Sequence, residues 1–435
     1  MSATLRGAII FGGLVGFLVV CALLTFGVLP SMGIAVGLPV IMVPGEPYDP
    51  YLPVDSFRWT NTLMATALAS LATLAFAFLA WRASKGWTRQ VPTRFQSWVE
   101  LLGGFLYGFA KQMAGKNARL VFPLVATIFV FLLATNWMKL LPGVESVGVM
   151  HCAEEGFNGY PAVQVGSGAF QLYVDQPLNA GMPATHDSYY ACNNFFHHGD
   201  VHGPSRSEID AAAARLATEE AALRERLTAE GASAEVIDAE VEALQLEITG
   251  ELYPYPTFGL NETQLRAGAF PYIFVVTPYV RGATTDLSMT IAMALISVIA
   301  VQVFGVIAQG PNYFQKFINL RALGNLQKKP LGAIDFVVGI FEIISELGKI
   351  ISLAFRLFGN MFAGGILLAV MSFLVAIILP AVFIGLEVII TTVQALVFAV
   401  LTLVFSAQAM EGHHGDDHDH GHDEDHADAH AAEHA

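Results

Sequence analysis

Apolar residues in this chain gather into long uninterrupted runs rather than alternating with polar ones. Residues 7–29 form the first run, 59–81 the second, 120–138 the third and 287–308 the fourth. Residues 331–409 are almost wholly apolar and are broken mainly at Pro380. A helix of about 20 residues crosses a bilayer core. Lipid offers no partner to an exposed backbone amide, so each run predicts a helix. The first run follows Arg6, yet its apolar stretch is longer than the ~7–15 residues of a signal-peptide core. No A-x-A-like site follows it cleanly, and it reads as a retained span. The pattern predicts an all-α polytopic membrane protein with about six membrane helices.

Composition agrees. The chain has 435 residues, 54% of them hydrophobic and 14% charged, where water-soluble domains carry about a quarter charged residues. The formal charge of −15 misleads, because nine acidic residues and no Lys or Arg lie beyond Met410. Nothing here suggests nucleic-acid binding. No G-x-x-x-x-G-K-[ST] loop is present, so the chain is not expected to hydrolyse a nucleotide or act as an enzyme by itself.

Short loops rich in Lys and Arg stay in the cytoplasm. Arg82, Lys85, Arg89 and Arg94 follow the second run, and Lys316, Arg321, Lys328 and Lys329 follow the fourth, with no acid among either set. Both segments read as cytoplasmic. Residues 30–58 and 143–280 then lie outside, and both termini lie inside, as in a bacterial plasma (inner) membrane. Residues 96–116 mix apolar and basic side chains and read as an interfacial helix.

Five parts follow: an additional N-terminal span (1–30), a first membrane part (56–143), an extracytoplasmic insertion (144–280), a second membrane part (281–410) and a tail (411–435). The insertion contains 207–249, rich in Ala, Glu and Leu with Gly231 and Ser233 near its middle, which predicts two antiparallel helices. A solvated hairpin and a docking surface both fit it. Cys152 and Cys192 are read as free thiols by default, with a disulfide between them, or a metal site of Cys192 with His197, His198 and His202, as alternatives. The tail has eight His among its acids and nothing apolar to build a core, so it is expected to be disordered. A solubilising role is favoured over weak metal binding, and no metal or cofactor site is assigned.

The chemistry sits in 331–409. Charges inside membrane helices cost roughly 2.5–3.5 kcal/mol each at mid-span, so they are functional suspects. Between Pro330 and Pro380 lie 49 residues without a proline. As one straight helix they span about 73 Å, against a core of about 30 Å. The segment must tilt strongly or bend, with Gly348, Gly359 and Gly364 as candidate bends, and it forms one arm of a long helical hairpin. At 100° per residue, Glu342, Ser345, Lys349, Ser352, Arg356, Asn360 and Ala363 fall within about 40° of one direction. The next helix offers Glu387, Thr391 and Gln394 on one face, and Gln394 is within expected reach of the Arg356 guanidinium. Paired charges that merely hold a bundle together would not need so long a stripe flanked by small residues. A guanidinium stays charged even in a membrane. It attracts a carboxylate passing on a partner and favours its ionised form. A nearby Glu can relay protons.

These residues carry a resemblance. ISLAFRLFGNMFAGGILL (351–368) closely resembles the signature of F-type ATP synthase subunit a. Segments 120–143, 284–295, 339–353 and 388–405 are similar to further family segments in the same order. The similarity covers roughly 56–143 and 270–412. It implies that Arg356 is the essential arginine facing the c-subunit ring, with Asn360 and Gln394 beside it. It assigns Glu342 and Ser345 to the cytoplasmic half-channel, and Glu387 and Asp286 to the outer one. Gly365 stands where members with a His in place of Glu387 carry a Glu. The implied partners are the c-ring, the b subunits of the peripheral stalk, the rest of the ATP synthase and membrane lipid. Three departures stand out: the span 7–29, the insertion at about 145–270, and Lys139 where many members carry an acid. A stand-alone transporter would predict internal repeats, which are not found. A passive scaffold would leave the Arg356 stripe unexplained.

Overall fold

The computed structural model describes residues 43–48, 59–87, 92–317 apart from 167, 177 and 199–202, 332–375 and 378–411, with nine isolated positions between 16 and 37. Most of the predicted first span, the tail after 411, and Arg89, Arg321, Lys328 and Lys329 lie outside the described residues.

The first membrane part holds α1 (Asn61–Ser84), α2 (Arg94–Ala114) and α3 (Ala118–Met138). Thr60 caps α1 by accepting a hydrogen bond from the Leu63 amide. Tyr107 and Phe122 are 15 positions apart, about 22 Å along a straight helix, yet their ring centroids lie 5.3 Å apart. The chain therefore reverses between α2 and α3. The reversal falls at Gly115, whose φ of +51° suits a residue without a Cβ.

The insertion departs from the all-α expectation. Strands β1 (Gly148–Cys152), β2 (Asn158–Gly166), β3 (Ala169–Leu172) and β4 (Met182–Pro183) come first, followed by α4 (His186–His198). Helices α5 (Arg206–Ala229), α6 (Ala234–Leu252) and α7 (Glu262–Ala267) lead to β5 (Ala269–Pro278). The strands form one antiparallel sheet in the order β1-β5-β2-β3, with β4 added beside β2. The reason is local. β5 reads AFPYIFVVTP, a run of aromatic and β-branched residues too short for a span and suited to a buried strand. Its Phe270 and Tyr272 pack on Phe195 of α4 and on Tyr253 after α6, and its Phe274 packs on Phe196. The hairpin α5–α6 is capped by Ser205 and Ser233 and turns at Gly231, φ +76°. Cys152 and Cys192 are joined in a disulfide, which replaces the default reading of two free thiols and ties β1 to α4.

The second membrane part holds α8 (Leu287–Gln309), α9 (Gly332–Leu374) and α10 (Ile378–Met410). α9 runs for 43 residues without a break at Gly348, Gly359 or Gly364. α9 ends at Leu374 and α10 begins at Ile378, so Pro380 lies inside α10 rather than at the break. Pro380 sits in the first turn of α10, where a missing N–H costs little. Among the described residues, five segments are long and apolar enough to cross a membrane: Asn61–Ser84, Arg94–Met138, Leu287–Gln309, Val338–Leu374 and Leu379–Met410. The last four share a core that joins Val125, Phe129 and Leu132 of α3, Val298 of α8, Leu353, Leu357 and Met361 of α9, and Ala395, Phe398 and Leu403 of α10. Small residues such as Ala354, Ala395 and Ala399 let these helices approach closely.

The disulfide makes a direct prediction. In unreduced, fully denatured protein, alkylation should leave Cys152 and Cys192 untouched, and reduction should expose both. Closing a loop of 40 residues is worth about 4 kcal/mol to the insertion. Full alkylation without reductant would contradict the bond.

Candidate functional site

Arg356 lies on the side of α9 turned away from the core. Leu353, Leu357 and Met361 are buried on one side of the helix, while Ser345, Ser352, Arg356, Asn360 and Ala363 are exposed. Apolar Ile351 and Phe355 flank the arginine and are themselves exposed. Arg356 makes no ion pair and no hydrogen bond among the described residues. Gln394 does not reach it. Asn360 instead donates to Oε1 of Gln394 at 2.6 Å, and Nε2 of Gln394 is buried without a partner.

Four residues further along, α9 and α10 enclose a cleft of about 230 Å³ lined by Asn360, Gly364, Leu367, Phe383, Leu386 and Glu387, among others. Glu387 is 4% exposed and points at Gly364, where an added Cβ would stand 2.4 Å from its Oε2. Its carboxylate pairs with Nζ of Lys139 at 3.3 Å, and that ammonium also donates to the Met361 carbonyl at 3.0 Å. The sequence reading marked Lys139 only as a departure. A lysine just past an apolar run reads as one that reaches for the membrane surface, and its partner is 248 positions away.

A second charged cluster lies where the segment after α8 meets α9. Lys316 pairs with Glu342 at 2.6 Å and Glu346 at 3.3 Å, and Lys349 pairs with Glu346 at 2.9 Å. Burial works against the charge of Lys316, but the two carboxylates outweigh it and raise its pKa. Glu346 is 8% exposed, and its Oε2 has no partner among the described residues. It escaped the stripe because it lies about 80° from Arg356 on a helical wheel, outside the 40° sector. Ser345, which the stripe included, is exposed.

Asp286 belongs to a third cluster. It caps α8 through the Ser288 amide at 2.8 Å and accepts from Thr62 Oγ1 at 2.8 Å and the Gly45 amide at 3.2 Å. Beside it Glu46 accepts from Asn61 at 3.0 Å and faces Arg281 at 3.8 Å. Burial raises the Glu46 pKa, an effect that Arg281 and Asn61 only partly offset. Asn136 links the neighbouring elements, accepting from Thr284 at 2.9 Å and donating to the Thr391 carbonyl at 3.3 Å. Of the predicted residues, then, Asn360, Gln394 and Glu387 come together, Glu342 joins a lysine-centred network, and Asp286 does not line the cleft.

A helical membrane protein with a charged stripe along an apolar helix, a buried ion pair between spans and, beside the stripe, a largely apolar cleft that holds a carboxylate has the making of an ion-translocating subunit. The family model for the ATP synthase A chain matches residues 63–164 and 258–407. The chain belongs to that family. It is an integral, non-catalytic membrane subunit of the proton-translocating Fo sector, serves ATP synthesis by ion transport, and has the c-ring and the rest of the ATP synthase as partners. The match omits 165–257, which holds the hairpin α5–α6.

Two glycines of α9 test the cleft geometry. Gly348 has open space where a Cβ would go, whereas Gly364 faces the Glu387 carboxylate. Gly348→Ala should stabilise the helix by up to about 1 kcal/mol. Gly364→Ala should instead destabilise by about 1–3 kcal/mol. Thermal unfolding of the purified variants decides this, and equal effects at the two positions would contradict the placement of Glu387.

Proposed function

We propose that Arg356 faces the c-ring and separates two aqueous half-channels through which protons reach and leave the ring. The observation that carries this reading is the unpaired guanidinium on the exposed face of α9. A charge at that depth costs roughly 2.5–3.5 kcal/mol, and this chain supplies no counter-charge among the described residues. A carboxylate on a neighbouring chain is the natural partner, and the small or polar Ser352, Asn360 and Ala363 let a helix come close.

In this reading the outer half-channel runs through the cleft beside Asn360 and Glu387, with Gln394 orienting Asn360. Asp286, whose oxygens cap α8, adds fixed negative charge at the outer mouth. A proton arriving at Glu387 passes to a c-subunit carboxylate, which turns neutral into lipid. After nearly a full rotation the carboxylate releases its proton near Glu342 and Ser345. Support for an inner path comes from the charged network of Lys316, Glu342, Glu346 and Lys349, which ends in an unpartnered carboxylate oxygen on Glu346. Arg356 repels protons that would leak directly between the paths and holds the ionised carboxylate opposite it. The turning ring drives synthesis in a catalytic head made of other chains.

The same reading places the chain in a bacterial plasma (inner) membrane with both termini cytoplasmic and the insertion outside. It adds the b subunits and lipid as neighbours.

Arg356→Ala should abolish ATP-driven proton pumping in inverted vesicles while the complex still assembles. Normal pumping by that variant refutes the role of Arg356. Glu387→Gln should slow proton flow strongly, and an unchanged rate would remove Glu387 from the path.

A further inference from the structure

We infer that Lys139 is a tethered cation that reserves Glu387 for protons and shuts out metal cations such as Na⁺. This rests on the reading of Glu387 as a proton relay. The family resemblance assigns no such role, because many members carry an acid at this position.

The pair is built rather than incidental. Lys139 side-chain atoms run past Gly282, where a Cβ would sit 3.2 Å from Cδ, and end beside Gly365, where a Cβ would sit 3.1 Å from Nζ. Gly364 makes room for the carboxylate in the same way. Three glycines from two separate segments thus clear a corridor for one lysine and one glutamate. At its end Nζ is held by Glu387 Oε1 and by the Met361 carbonyl. Both side chains are nearly sealed from solvent, at 3% and 5% exposure.

The chemistry follows from what a buried carboxylate can accept. Without Lys139, Glu387 and the Met361 carbonyl would offer oxygen ligands of the kind hard cations take. The ammonium sits on both of these oxygens. A metal ion would have to displace a cation that is covalently attached and cannot diffuse away. A proton needs no displacement. It forms an O–H bond at the second oxygen, Oε2, while the ammonium keeps its three N–H bonds. When the proton leaves for the next carboxylate, that O–H bond breaks and the negative charge returns to Glu387. Lys139 is therefore a positioning and specificity residue, acting through Glu387.

The test uses the whole ATP synthase in liposomes, with ATP synthesis driven by an imposed proton gradient. Choline on the side from which protons enter is replaced by Na⁺ at constant ionic strength, which holds screening fixed. The wild type and Lys139→Arg, which keeps a tethered cation, should be indifferent to the exchange. Lys139→Met, and Lys139→Gln, which keeps a hydrogen-bond donor without charge, should lose most of their rate in Na⁺ and recover it in choline. A packing role would lower the rate equally in both salts. Neutral variants as indifferent to Na⁺ as the wild type, or unable to assemble where Lys139→Arg assembles, would overturn the inference. Glu387→Gln is run beside them. If its rate equals that of the wild type, the relay reading of Glu387 fails, and if it is slow while Lys139→Met ignores Na⁺, only the Lys139 inference fails.

Discussion

A guanidinium cannot shed its proton under membrane conditions, so Arg356 must be neutralised by something beside it. The helix that carries it buries Leu353, Leu357 and Met361 against its own chain and turns the arginine the other way. Stripe and core therefore face opposite neighbours. The core fixes α9 against α3, α8 and α10, and in the proposed function the stripe meets a carboxylate from another chain. That division of one helix into an inward apolar side and an outward charged side decides where the cleft, the charged network and the partner can lie.

The ion pairs packed against α9 lie at the two flanks of the arginine. Toward the start of α9, Lys316 and Lys349 hold Glu342 and Glu346. Beyond Arg356, Lys139 holds Glu387. Removing one partner of such a buried pair costs about 3–5 kcal/mol, even where the pair itself contributes little. These carboxylates are held in place, while Arg356 has no counter-charge among the described residues and, in the proposed function, meets a moving one. The insertion stands apart in construction, with its own aromatic core, sheet and disulfide.

Much of this was legible from the chain alone. Long apolar runs located the helices Asn61–Ser84, Ala118–Met138 and Leu287–Gln309 to within a few residues, because a helix in lipid has no alternative backbone partner. Helical periodicity found the Arg356 stripe, and the signature around it pointed to the family that the chain matches. What escaped has physical causes. The sheet was missed because β5 is one continuous apolar run, which shows no alternation to mark it as a strand. Lys139 and Glu387 are 248 positions apart, and no local pattern links them. Glu346 fell outside a sector drawn around Arg356, although its contact with Lys316 comes from a segment that periodicity along α9 cannot represent. Asp286 was singled out by the resemblance alone, and its bond from Thr62, 224 positions away, has no local pattern to show it.

The central claim is that the Arg356 face of α9 meets a carboxylate-bearing helix of the ring. Cysteine cross-linking in the assembled complex measures this. One cysteine replaces Ser352 or, as the opposite-face control, Leu357, and the other stands beside the ring carboxylate. Disulfide formation from position 352 and none from 357 is the predicted result, with rotation blocked until reductant is added. Cross-linking from position 357 and not from 352 would contradict the account.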